Sequence, residues 1–289
     1  MVYILKHYRK FYLSEEYFYI NLSYFRIMAI EINILKNIQT VVENTIITCP
    51  HNGPDQPKGV SKIRNKAKLP PEPICKQNQF SIENDSYTSI IATGIADYME
   101  VICGKRPSLF IARYHRKYID MNRKRVCAYE VEQAKQFYDE YHQSISKHVE
   151  KICLKNKERS ISGYLYDIHG RLADEQTPEN IAIGTENGDT IKRLTEINRD
   201  VLWDETGLIK LLQEQGYTTN PLKKSQKEST KYNGGYIINN NDCLNAKKGL
   251  QRIQLEIDRP YRKEPPLRDK LIHHLTWNML IMGSRYFNS

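Results

Sequence analysis

The chain contains no run of about 18 apolar residues, so it offers no transmembrane helix. Residues 1–27 are rich in Tyr and Phe, but Glu15 and Glu16 interrupt them. A secretory signal needs an unbroken apolar stretch followed by small residues. Residues 1–40 therefore read as an extension without an assignable role, and residues 41–289 as one domain. No Cys-x-x-Cys pair occurs among Cys49, Cys75, Cys103, Cys127, Cys153 and Cys243. Scattered cysteines in apolar surroundings suggest reduced, buried thiols and a cytoplasmic setting rather than a disulfide framework or a zinc knuckle. Dense basic tracts are missing too. The formal charge is +9, spread along the chain. The nearest cluster, Lys58, Lys62, Arg64, Lys66 and Lys68, reads as a solvated loop. This speaks against a nucleic-acid partner and leaves a small anionic substrate, drawn in by the positive field, as the expected one. Internal repeats are absent.

What the chain does have is strands alternating with helices. Residues 45–50 (Thr-Ile-Ile-Thr-Cys-Pro) are short, apolar and β-branched, as a buried strand requires. Residues 108–112, 161–168, 180–184 and 252–257 read as further strands. Asp85 or Ser86 can cap a helix carrying Ile91, Ile95, Tyr98 and Ile102, which Gly104 ends. A long helix is expected over 129–154, shorter ones over 208–215 and 266–282, and a polar mobile loop over 218–245. The pattern predicts an α/β fold with a mostly parallel sheet between helices. Ligands in such folds bind beyond the carboxyl ends of the strands.

Two histidines, His51 and His169, follow predicted strands directly, each near a glycine. Imidazole nitrogens with a carboxylate are what a catalytic zinc site asks for. Asp55, four residues after His51, can bend back to the same ion; Asp167, sharing a strand face with His169, competes for that role. An ordinary turn aspartate is the plain alternative for Asp55. The segment Arg113 to Arg123 concentrates Arg113, Arg116, Asn122 and Arg123, groups suited to a carboxylate, although a solvated charge run has the same composition. Asp120, two residues before Asn122, can orient a ligating imidazole. Glu256 lies inside an apolar strand, where a carboxylate is costly unless used or paired, or else faces solvent on an edge. If its face opens to the site, it can act as a base toward water.

Taken in order, Pro50-His51-Asn52-Gly53, the run Arg116-Lys117-Tyr118-Ile119-Asp120-Met121-Asn122-Arg123, Asp167-Ile168-His169-Gly170, Gly234-Gly235-Tyr236 and Gln254-Leu255-Glu256-Ile257 resemble the N-formylglutamate amidohydrolase family. The likeness spans residues 44–260. It implies the zinc carboxypeptidase (phosphorylase/hydrolase-like) fold, a three-layer α/β/α arrangement around an eight-stranded, mostly parallel mixed sheet. It further implies zinc on His51, His169 and a carboxylate shortly after His51, with Asp120 buttressing His51. Asn122 and Arg123 would hold a substrate carboxylate, and Glu256 would activate water. Carboxypeptidases carry their glutamate ligand three residues after the first histidine; here that position is Pro54, so Asp55 is the nearest replacement.

The expected reaction is hydrolysis of an amide in a small carboxylate-bearing molecule such as N-formyl-L-glutamate. Arg113 or Arg116 could steady the oxyanion, Asp167 could support His169, and a loop carrying Tyr236 could close over the substrate on adjacent glycines. A zinc carboxypeptidase-like or γ-glutamyl peptide hydrolase is the alternative enzyme. A binding protein without catalysis on the same fold is the alternative of another class.

Overall fold

The computed structural model describes residues 31–75, 80–172, 178–241 and 249–287. Residues 1–30 of the expected extension and Cys243 lie outside them. Helix α1, Glu31–Glu43, runs across residue 40 and buries Ile38, Val41 and Val42 in the main core. Strand β1 follows at Thr45–Cys49 and is buried throughout. Helix α2 spans Thr88–Cys103 and buries Ile91, Ala92, Ile95, Ala96 and Met99 at helical spacing. Gly104 ends it in the left-handed region (φ 69°), its N–H donating to the Glu100 carbonyl at 2.7 Å. Strand β2 is Ser108–Ile111. A short α3, Arg125–Ala128, precedes the helix expected over 129–154, which starts late: a 3-10 turn at Glu132–Ala134 leads into α4, Lys135–Lys155.

Strand β3 is Gly163–Arg171, β4 is Ile181–Gly184 and β5 is Thr219–Asn220. Helices α5 (Lys192–Ile197) and α6 (Leu208–Glu214) lie between β4 and β5. Helix α7, Tyr236–Asn240, and strand β5 both fall where an irregular loop was expected. Strand β6, Leu250–Asp258, leads directly into α8, Arg259–Lys263, and then α9, Pro265–Tyr286. No helix among the described residues is long and apolar enough to cross a membrane.

The strands form one sheet in the order β2-β1-β3-β6-β4-β5. Only the β4–β6 pair is antiparallel. The mostly parallel mixed sheet is as expected, with six strands among the described residues rather than eight. Period-two alternation sorts each strand between two layers. On one face Ile47, Tyr164, Tyr166, Ile168, Ile253, Leu255 and Ile257 join a core with residues of α1, α2 and α9. On the other face Ile46, Leu165 and Leu250 pack with Ile145, Val149 and Ile152 of α4 and Ile237 of α7. Toward the carboxyl ends this second face turns polar: Thr48, Asp167, His169, Gln254 and Glu256 stand there, all buried.

Cys75 and Cys127 form a disulfide, and Cys153 is also disulfide-bonded, contrary to the expectation of reduced thiols. Cys49 and Cys103 are free. The spacing of 52 residues between Cys75 and Cys127 carries no local signal, which is why the pairing is invisible in the sequence.

Candidate metal centre

His51 stands two residues past the end of β1, and His169 lies within β3 rather than after it. Parallel pairing of β1 with β3, Thr48 opposite Asp167, brings the two histidines together at the same sheet edge. Their Nδ1 atoms are 3.1 Å apart. Asp85 completes the group. Its Oδ2 is 3.1 Å from His51 Nδ1 and 3.2 Å from His169 Nδ1. A tetrahedral zinc with bonds of about 2.0–2.1 Å separates its ligand atoms by about 3.3 Å, so the triangle has the dimensions such an ion needs.

The far nitrogens bear on the tautomers. His51 Nε2 is 2.7 Å from Asp120 Oδ1, and His169 Nε2 is 2.8 Å from Asp167 Oδ2. Carboxylates only accept, so the Nε2–H tautomer satisfies Asp120 and Asp167 and leaves each Nδ1 to present a lone pair to an ion. Two lone pairs and a carboxylate oxygen then converge in a buried space, an arrangement that repels itself unless a positive charge sits among them. Without a metal, a proton on His169 supplies that charge, the proton a bound cation would displace. Burial alone would raise the Asp85 carboxyl, but His51, His169 and Arg116 hold it well below the usual carboxylate range. Burial would lower His169, but Asp167 and Asp85 outweigh it and carry the imidazole well above its ordinary value. The pocket draws positive charge, and these three residues could hold a divalent cation.

The supporting residues are themselves supported. Thr48 Oγ1 donates to Asp167 Oδ1 at 2.6 Å. Asp120 is fully buried and takes Arg116 Nη2 at 2.9 Å and Arg64 Nη1 at 3.3 Å. Burial acts to raise Asp120, and Arg116, His51, Arg123 and Arg64 together hold it well below the usual range. Arg64, expected in a solvated loop, is thus a buried member of this network. Asp85 is placed by its backbone: its N–H donates to the His51 carbonyl at 3.0 Å, and Gly170 N donates to Oδ2 at 3.1 Å.

Asp55, the expected third ligand, is elsewhere. Its backbone forms a bridge with Tyr114, and its carboxylate pairs with the exposed Arg113 at 2.9 Å. The turn after His51 carries the Asp55 side chain outward, whereas a segment 34 residues downstream of His51 delivers Asp85. Sequence reading assigned Asp85 to helix capping; the residue at the cap position is Tyr87, in the left-handed region at φ 70°. Arg116, expected at the substrate, is buried, with Nη1 reaching Asp85 Oδ1 at 3.3 Å and Nη2 reaching Asp120.

Glu256 is in register with His169 on the neighbouring strand, so both side chains project from the same face. Gln254 Nε2 donates to Glu256 Oε1 at 3.0 Å. Burial pushes the Glu256 carboxyl up to about 7, against the pull of His169 and Arg116 and with the reinforcement of Asp85 and Asp167. Asn122 is buried between His169 Nε2, at 3.0 Å from its Nδ2, and the amide of Ile237, which donates to its Oδ1 at 2.8 Å. Arg123 Nη1 donates to the Asn122 carbonyl. Tyr236 opens α7 and packs on the His142 ring, with centroids 5.3 Å apart. A cavity of about 610 Å³ beside it is lined by Lys124, Arg125, Tyr129 and Tyr236, and by none of the three metal-facing residues.

The chain matches no protein-family model and no curated protein sequence. Solved structures do resemble it. One is an N-formylglutamate amidohydrolase from Ralstonia eutropha: TM-score 0.55, 15% identity, covering 85% of this chain and 94% of that one. Another is a gene product from Agrobacterium tumefaciens: TM-score 0.54, 12% identity, covering 84% of this chain and 91% of that one. At such identities the likeness shows the fold: this chain shares the architecture of a known amidohydrolase along most of its length.

Proposed function

We propose that the protein is a zinc-dependent amidohydrolase acting on an amide of a small, carboxylate-bearing molecule, with N-formyl-L-glutamate as the type substrate. The observation that carries the reading is the meeting of His51 Nδ1, His169 Nδ1 and Asp85 Oδ2 within 3.1–3.2 Å of one another, on the face that also presents Glu256. The donor set, two imidazoles and a carboxylate each backed by a hydrogen-bonding partner, suits zinc. The resemblance to the Ralstonia enzyme supports amide chemistry on this fold.

A zinc ion held by these residues supplies a Lewis acid for the amide carbonyl and makes nearby water more acidic. Glu256 removes a proton from the attacking water and delivers it to the leaving nitrogen as the C–N bond breaks, giving formate and glutamate from formylglutamate. Gln254 holds the Glu256 carboxylate by its amide, fixing the oxygen that accepts. Asp120 and Asp167 keep the protons of His51 and His169 on Nε2, so that both Nδ1 atoms stay available. Arg123, beside the buried Asn122, supplies a guanidinium for the substrate's carboxylate, and Tyr236 forms an adjoining wall.

The test is turnover of N-formyl-L-glutamate by the zinc-loaded protein, with Glu256→Gln as the control. The expected result is hydrolysis by the native chain and a loss of at least about 10²-fold in kcat for the variant, with zinc still bound. Full turnover by Glu256→Gln would refute the assigned base. Release of glutamate from a γ-glutamyl peptide but not from formylglutamate would move the substrate to the peptide class.

A further inference from the structure

The segment that brings Asp85 to the two imidazoles is not part of the sheet. Asp85 belongs to the segment before α2, while His169 and Glu256 belong to β3 and β6. Something has to hold that segment against the ends of the strands. Arg262 touches all three. It sits on α8, the five-residue helix that follows β6 directly, and it is 4% exposed. Its Nε donates to the carbonyl of Ile257 on β6 at 2.9 Å. Its Nη2 donates to the carbonyl of Arg171 at the end of β3 at 2.9 Å. Its Nη1 donates to the carbonyl of Ser86, the residue after Asp85.

Gly170, between His169 and Arg171, makes room for the guanidinium. A Cβ there would lie 2.5 Å from Arg262 Cζ, and the Gly170 N–H donates to the metal-facing oxygen of Asp85. The guanidinium is planar and offers donors in fixed directions, so one side chain can bridge three carbonyls that a lysine ammonium on its flexible stem does not reach together.

We propose that Arg262 is the positioning residue for Asp85: it fastens the Asp85–Ser86 turn to the strands bearing His169 and Glu256, and so sets the affinity of the centre for its ion. The inference rests on the metal-centre reading given above. The hydrogen bonds of Arg262 go to backbone carbonyls rather than to the converging ligand atoms, and the one to Ser86 links it to Asp85. Supporting residues of this kind typically change metal affinity by about 10–100-fold when replaced. Its influence should therefore disappear once Asp85 is gone, because two residues acting through one contact do not add.

The experiment is a zinc titration against a competing chelator on the full chain, for the native protein, Arg262→Lys, Arg262→Met, Asp85→Ala and the Asp85→Ala/Arg262→Lys pair. Folding of each is followed by thermal melting without metal. The expected result is that Arg262→Lys weakens zinc binding about 10–100-fold in the native background and by less than about 3-fold in the Asp85→Ala background. Equal zinc affinity of native and Arg262→Lys, or an equal loss in both backgrounds, would overturn the assignment. Should Arg262→Met fail to fold, Arg262→Lys, which retains the charge and much of the stem, carries the test. Failure of both to fold would make Arg262 a general structural residue and overturn it as well. Absence of zinc binding by the native chain would instead refute the metal centre itself, so the two failures are distinct.

Discussion

Glu256 carries the chemistry in this account, and its environment makes a prediction about pH. A protonated carboxyl cannot take a proton from water, so turnover must fall as the medium becomes acidic enough to protonate Glu256. Burial pushes this group up to about 7 without a metal. A dication beside it favours the ionised form, so the acid limb of kcat/KM for the loaded enzyme has its midpoint at or below about 7. A limb with its midpoint above about 7, or turnover that does not fall in acid at any pH at which zinc stays bound, would contradict the assignment. His51, His169 and Glu256 were legible in the sequence because each stands at or near the end of an apolar strand, where a polar group needs a reason. Asp85 was not. Its apparent task was to cap a helix, and nothing local distinguishes an aspartate that caps from one whose side chain turns toward a site assembled from segments 34 and 84 residues away. Asp55 attracted the ligand role through its nearness to His51 in sequence; the fold gives that carboxylate to Arg113 at the surface.

Among the elements, the strands were read with small errors of boundary because period-two alternation and β-branching act locally. Errors fell where tertiary contacts decide. The segment over 218–245 looked irregular, yet its Gly234-Gly235 pair opens α7, and Gly235 has a packing reason. A Cβ on Gly235 would come within 2.1 Å of Asn122 Nδ2 and 2.6 Å of its Cγ. Asn122 has no room to yield, being fixed by Ile237 on one side and facing His169 on the other. Gly235→Ala should therefore destabilise the protein by about 1–3 kcal/mol, the usual range for overpacking a buried contact, and lower kcat by disturbing His169. Thermal melting and kinetics of the zinc-loaded variant check this. A melting temperature and rate equal to the native protein's would show that α7 does not press on Asn122. In the same way the helix expected from residue 129 begins only at Lys135, and the short helix ahead of it contributes Ala128, whose carbonyl takes the Asp120 amide at 2.9 Å.

For the molecule as a whole, the architecture follows from alternating strands and helices, and the position of the site follows from the carboxyl-edge rule for parallel sheets. The chain is tied together there by contacts of long sequence separation: the Cys75–Cys127 disulfide, and Arg64 reaching across to Asp120 and the Cys127 carbonyl. Such links have no period and no motif, which is why Arg64 read as one basic residue in a solvated run. The centre they stabilise is the claim on which the function stands, and its metal content tests it most directly. Elemental analysis of the purified, zinc-equilibrated protein should give about one zinc per chain, the stoichiometry of a mononuclear site. His51→Ala, His169→Ala and Asp85→Ala should each lose most of that zinc, while Asp55→Ala keeps it. Zinc absent from the native protein, or lost with Asp55→Ala and retained by Asp85→Ala, would contradict the account.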